Sequence, residues 1–394
     1  MPSEQKIIYL DHNATTPLRP EVLEAMLPYL RDQFGNPNST YRLGQQSRKA
    51  VEKARSQVAA LIGAEFPDEV VFTSCGSEAD ALAIQGVSRL SNNGAGPQKH
   101  FITSQIEHDA VLESFRIVRA QGGEVSVVRV DRHGSVDLEE IRYHLRKDTR
   151  LVSIMFANNE VGTIQPIQEI THLCREKGVL FHTDAVQAVG KIPFSVKELG
   201  LDMLSLSGHK LNAPKGVGAL YVRRRVNLVP LVTGHQERER RGGTENVAGI
   251  VGLGEACAVA QKELPIHPRE FLWMRQRLEQ GLLRLPKAQL NGHPTSRLPN
   301  TVHFSFDGVE GHALVVGLDL EGICISSGPA CSSGSVEPSH VLKAMGVPAS
   351  VAVGSVRISL GWGNTLSEVE EFLKIFPKVL NKQREVFKNF ELRT

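Results

Sequence analysis

Over the first two-thirds of the chain, two rhythms of apolar and polar positions take turns. Short apolar runs rich in β-branched residues predict strands at EVVFT (69–73), HFITS (100–104), EVSVVRV (124–130), RLVSIMFA (150–157), VLFHTD (179–184), DMLSLS (202–207) and GALYVRR (218–224). Between them, apolar residues spaced three and four apart predict helices over 43–62, 77–90, 108–121, 136–146 and 167–177. This alternation implies an α/β fold with a mostly parallel sheet covered on both faces. Ligands of such a sheet lie beyond the carboxyl ends of its strands.

Near residue 262 the rhythm changes. The polar, proline-bearing KELPIHP is followed by helical periodicity over 268–285, a strand-like TVHFSF (301–306), helices at 310–319 and 339–345, a strand GSVRISL (354–360) and a terminal helix from about 367. That succession predicts a smaller α+β domain at the C-terminal end. The run IIYL (7–10) fits either domain by its pattern. The expected division is 16–262 for the large domain, and 1–15 with 263–394 for the small one. There is no internal repeat and no low-complexity segment.

A length of 394 residues, 41% of them apolar, suits two cores. The 45 basic and 43 acidic residues nearly cancel, which argues against nucleic acid or an anionic membrane as the main partner. The runs Arg223-Arg224-Arg225 and Arg238 to Arg241 then read as solvated surface. Five cysteines are scattered without a CxxC, so neither a disulfide framework nor a bound metal is expected. MPSEQKIIYLDHNATTP lacks the charged-then-apolar order of a signal peptide, and no apolar stretch is long enough to span a bilayer. A soluble, cytoplasmic protein is expected.

Candidate chemistry gathers where strands end. Lys210, in SLSGHKLNAPKG, follows a strand; alone it reads as a surface lysine, but an amine there can also form a Schiff base with a carbonyl cofactor. Asp184 ends an apolar strand, where it either caps the next helix or faces a cation such as a pyridinium nitrogen. In FTSCGSEADALAIQG a strand runs through Gly76 and Ser77 into a helix, either as a plain cap with Ser77 or as a phosphate cradle. His108 follows another strand and fits a stacking ring or a solvated helix start; Asn158 and Asn159 follow a third. Each signal is modest alone. Together they place a phosphate cradle, a ring, amides, a carboxylate and a lysine at successive strand ends, a set that suits pyridoxal 5'-phosphate.

The stretch ISSGPACSSGSVEP (325–338) places Cys331 on glycine- and proline-bearing loop sequence, although free cysteine is more often buried. At this point the chain resembles the cysteine desulfurases, fold-type I pyridoxal phosphate enzymes of the class V aminotransferase superfamily. The resemblance rests on YLDHNATTP, GNPNSTYRLG, TSCGSEAD, ANNEVGT, HTDAVQ, LSGHK, RRGGTEN, RLPNT, SSGPACSSG and VRISLG, which span almost the whole chain.

The resemblance implies that Lys210 carries the cofactor, that Asp184 pairs with its ring nitrogen, that Gln187 contacts its ring hydroxyl and that His108 stacks on the ring and takes part in catalysis. It assigns Gly76, Ser77, Ser207 and His209 to the phosphate, with Thr244 reaching the phosphate in the other subunit of a homodimer. Arg357, assisted by Asn159, clamps the carboxylate of L-cysteine. Cys331 takes the substrate sulfur as a persulfide and delivers it to an acceptor or cluster scaffold, where it briefly meets a cluster. Cys75 and Cys324 are structural thiols, Cys75 near the cofactor. Departures from the family pattern are Pro329, Tyr41 and Thr233-Gly234-His235. Competing readings of the same resemblance are a selenocysteine lyase and a catalytically inactive assembly subunit; a plain aminotransferase would leave Cys331 without a task.

Overall fold

The structure is a computed structural model that describes residues 7–90, 100–327 and 338–391. Among the described residues, seven strands form one sheet: β2 (Val70–Thr73), β3 (His100–Ser104), β4 (Glu124–Val128), β5 (Thr149–Ser153), β6 (Leu180–Asp184), β7 (Met203–Ser207) and β8 (Gly218–Val222). Their order is β2-β8-β7-β6-β5-β3-β4. Consecutive residues along a strand face opposite sides, and both sides are apolar. Phe101, Leu151 and Met203 join one buried cluster; their neighbours Ile102, Val152 and Leu204 join another.

The first of those faces is covered by α3 (Gly76–Ser88) and α4 (Asp109–Ala120), through Leu82 and Phe115. The second is covered by α2 (Arg42–Ile62), α6 (Ile167–Glu176) and α8 (Val247–Glu263), through Val58, Ile170 and Leu253. Helix α1 (Pro20–Arg31) buries Val22 and Met26 in that second cluster. Strand β8 is the antiparallel member, bonded to β2 on one side and β7 on the other. The connection from β7 to β8 holds only a 3-10 turn, Gly208–Lys210, too little chain for a parallel crossover.

Several predicted elements are shorter in the structure. Strand β5 stops at Ser153 rather than 157: Ile154 and Phe156 still donate to His182 O and Asp184 O at 3.2 and 2.8 Å, but the Met155 N–H between them goes to the buried Glu107 carboxylate at 2.9 Å. Side-chain acceptors of this kind compete with a strand ladder. The helix predicted over 136–146 narrows to α5 (Leu138–His144), capped by Asp137.

A second sheet, β12-β13-β10-β9, is antiparallel: β9 (Ala288–Leu290), β10 (Thr301–Phe306), β12 (Ser326–Ser327) and β13 (Ser355–Ser359). Its separate core contains Phe304, Phe306, Phe372 and Phe376, with Leu278 of α9 (His267–Leu282) and Leu318 of α10 (Gly311–Asp319). The last helix, α13 (Leu366–Glu391), supplies two of those rings. The IIYL run becomes β1 (Ile8–Tyr9), which pairs in parallel with β11 (Ile323–Cys324) beside the small sheet. From there the chain crosses to the large sheet, where Thr16 N–H meets His209 O at 2.9 Å.

The arginine runs are tied to acids. Arg223 meets Asp202, Arg224 and Arg238 both reach Asp68, and Arg241 reaches Glu78. Among the described residues no helix is long and apolar enough to cross a membrane.

Candidate active site

Beyond the carboxyl ends of β2, β3, β5, β6 and β7 lies a cavity of about 420 Å³. Most of the predicted residues line it: Gly76, Ser77, His108, Asn159, Asp184, Gln187, Ser207, His209, Lys210 and Arg357.

At one end, β2 turns through Cys75 into α3. The helix begins at Gly76 with Cys75 as its capping residue, so Ser77 is not the cap; it stands in the first turn. A Cβ on Gly76 would sit 2.9 Å from Val186 Cγ2 and 3.2 Å from Ser207 Cβ, so the backbone here approaches its surroundings as only glycine allows. Ser207 Oγ is buried without a hydrogen-bond partner. Unpaired buried hydroxyls are costly, and free helix N–H groups attract anions. The Glu78 carboxylate is turned to Ser74 N–H and Arg241, which hold it at 2.7 and 2.8 Å.

His108 caps α4, its Nδ1 accepting the Ala110 N–H at 3.1 Å. Both readings of this histidine therefore hold: it starts a helix and its ring borders the cavity. Asp184 is buried at the end of β6, with one oxygen accepting Val186 N–H at 2.9 Å. Burial raises its pKa, while His108 and Lys210 pull it back down. Deeper still, Asp80 is 1% exposed, its Oδ1 without a hydrogen bond and 3.7 Å from His182 Nε2, and burial followed by the nearby Asp184 charge raises its pKa well above the ordinary carboxylate value.

The Lys210 amine enters from the 3-10 turn after β7 and donates to Asn13 O at 2.5 Å and Ala14 O at 2.6 Å. Burial, then the charge of Arg357, lowers its pKa to about 8, against the opposing pull of Asp11 and Asp184. Its neighbour His209 touches Thr15 Oγ1 at 3.2 Å, and burial lowers its pKa to about 4. Arg357, on β13 of the small sheet, spans the gap between the sheets by reaching Asp11 Oδ1 at 2.8 Å and Asn159 O at 3.1 Å. Its Nε is buried and unpartnered.

Thr244 does not line this cavity; it is exposed on the segment that Arg241 fastens to Glu78. Cys331 lies outside the described residues. Of the residues flanking 328–337, Ser326 is paired with the cavity-lining Arg357 across β12 and β13, Ser339 Oγ meets Glu160 at 2.5 Å and His340 Nε2 meets Glu107 O at 3.0 Å. Cys75 lines the cavity as expected, and Cys324 sits in β11.

Residues that sequence reasoning passed over are Asp11, Asn13 and Ala14, which lie in the quoted YLDHNATTP, together with Asp80 and Lys191. Only the motif itself pointed to the first three.

The arrangement fits pyridoxal phosphate. Gly76 and the unpartnered Ser207 hydroxyl suit its phosphate, the second oxygen of Asp184 would suit its ring nitrogen, and the Lys210 amine would suit its carbonyl carbon. Comparison with known proteins agrees. Residues 8–372 match the family described as Aminotransferase class-V. The chain is 50% identical to a cysteine desulfurase IscS of Methanosarcina thermophila over 97% of its length and 94% of that protein. It is 49% identical to a cysteine desulfurase of Trichormus azollae over 98% and 96%. Its backbone matches a solved NifS-like protein with a TM-score of 0.89 at 41% identity, covering 95% of this chain and all of that one. A structure titled SspA in complex with cysteine matches at 35% identity and a TM-score of 0.78, over 90% of this chain and 98% of that one. The chain belongs to the class-V aminotransferase family, among its cysteine desulfurases.

Proposed function

We propose that the protein converts L-cysteine to L-alanine and passes the sulfur to Cys331 as a persulfide, for iron–sulfur cluster assembly and other thio-cofactors. The observation that carries this reading is one cavity holding Lys210, Asp184, the free Ser207 hydroxyl and Arg357. Bound pyridoxal phosphate supplies an electron sink that stabilises charge developing at the substrate carbons.

The chain's own groups do the rest. Arg357 binds the substrate carboxylate through its planar fork, held in place by Asp11 and Asn159. Lys210, with its lowered pKa, takes the proton from the substrate Cα and returns one to it. Asp184 would hold a proton on the ring nitrogen of bound pyridoxal phosphate, and His108 would stack on its ring. Cys331, as the thiolate, attacks the substrate sulfur. The carbon–sulfur bond breaks with its electron pair left to the β-carbon, which takes up a proton and becomes the methyl group of alanine, while a sulfur–sulfur bond forms and leaves a persulfide on Cys331.

The same reading takes the protein to be a cytoplasmic homodimer in which the exposed Thr244 reaches the partner subunit's cofactor phosphate. It divides the chain at 16–262 against 1–15 with 263–394, in keeping with the two separate cores. The test is an absorption spectrum with L-cysteine added, while alanine and sulfide are assayed in wild type and Cys331→Ala. A visible band that shifts on cysteine, with turnover lost in the variant, is expected. Turnover untouched by Cys331→Ala would remove the persulfide step.

A further inference from the structure

We propose that Lys191 is a positioning residue that locks the Gln187 side-chain amide with its nitrogen available to the cavity. The inference rests on the reading above, in which Gln187 contacts the cofactor's ring hydroxyl. No role in that chemistry has so far fallen to Lys191.

The geometry admits one orientation of the amide. Lys191 is 8% exposed, and its Nζ lies 2.5 Å from Gln187 Oε1 and 3.1 Å from Asn13 Oδ1. Gln187 Nε2 donates to Asn13 O at 3.0 Å. Exchanging the oxygen and nitrogen of the amide would set an N–H₂ against the lysine and an oxygen against a carbonyl oxygen. Both contacts would become repulsive. With the observed orientation, one Nε2 hydrogen goes to Asn13 and the second remains for a ligand oxygen in the cavity that Gln187 lines.

Lys191 fits this task as a donor, with N–H groups for both of its acceptors, Gln187 Oε1 and Asn13 Oδ1. Burial, then Lys210 and Arg357, drive its pKa well below the lysine range. His12 stands on the adjoining segment, and Arg19, Glu263 and His267 stand across a cavity of about 60 Å³ that Lys191 shares with Lys210. The route from Lys191 to the cofactor in this inference is its contact with Gln187.

The experiment is a pH titration of the visible band of the holoenzyme in wild type, Gln187→Leu, Lys191→Met and the double variant, with thermal melts alongside. A donor to the ring oxygen favours its charged form, so losing it raises the band's pH midpoint by about one unit. Gln187→Leu and Lys191→Met should each give this upward shift, and the double variant should give no more than Gln187→Leu alone. A Lys191→Met shift that persists in full in the Gln187→Leu background would overturn the inference in favour of a direct field on Lys210. No shift in the wild-type background would overturn it too. Should Lys191→Met fail to accumulate, Lys191→Gln keeps a donor on a shorter arm and should give a smaller shift with the same dependence on Gln187. A wild type that shows no band with pyridoxal phosphate would instead sink the functional reading on which this rests.

Discussion

The chemistry depends first on one amine. An unperturbed lysine holds its proton near pH 7 in all but a few molecules per ten thousand, whereas a pKa of about 8 leaves roughly a tenth of Lys210 as free amine. Burial and Arg357 are the cause, and Arg357 is the same group proposed to bind the substrate carboxylate. A lysine whose folded pKa is depressed loses its proton as pH rises through the folded value. The rate at which the apoprotein captures pyridoxal phosphate should therefore rise roughly tenfold from pH 7 to pH 9, with a midpoint about 8, followed by stopped-flow absorbance. A rate still climbing steeply beyond pH 10 would show that Lys210 is unperturbed. The same burial costs stability below about pH 8, where the amine is charged in the fold, and that cost fades toward the unfolded value of 10.5. The sequence exposed Lys210 and Asp184 because each is a polar residue at the end of an apolar strand. It could not expose Asp80 or Lys191, whose surroundings come from other elements.

At the scale of elements, the phosphate end of the cavity depends on how closely α3 packs on the end of β7. Gly76 begins α3, and a methyl group there would press on Val186 and Ser207. Gly76→Ala should push the first turn outward and weaken cofactor binding by roughly tenfold or more, about the worth of one charge-assisted hydrogen bond. Equilibrium dialysis against pyridoxal phosphate reads this directly, with the melting of the apoprotein as a check on folding. An unchanged affinity would mean that the phosphate is held elsewhere. Strand β2, the tight turn and the helix could all be read in FTSCGSEAD. The point where the helix begins could not: the serine that looked like a cap lies inside the first turn, because Cys75 takes the extended backbone that a capping residue needs. Strand β5 was overdrawn for a related reason. Its apolar residues continue to Ala157, but the carboxylate that claims Met155 N–H comes from Glu107, 48 residues earlier.

At the scale of the molecule, one asparagine beside the cavity ties together segments of both sheets. Asn13 Nδ2 donates to Asn159 O at 3.1 Å and Thr301 Oγ1 at 2.9 Å, and its Oδ1 accepts from Lys191 at 3.1 Å and Asn300 at 3.2 Å. Its backbone carbonyl receives both Lys210 and Gln187. The partners lie as far as 288 residues away, so no local pattern could have marked this residue, although the alternating strands and helices foretold the mostly parallel sheet. With four side-chain bonds at a buried position, Asn13→Ala should cost about 2–4 kcal/mol in urea denaturation, since several of those partners lose a bond they cannot replace with water. The same variant should loosen the Lys210 and Gln187 contacts through the displaced carbonyl and lower cofactor affinity in parallel. Loss of stability with cofactor affinity intact would make Asn13 a strut between the sheets and no part of the site. Loss of both would show that the joint between the two cores also sets the geometry of the amine.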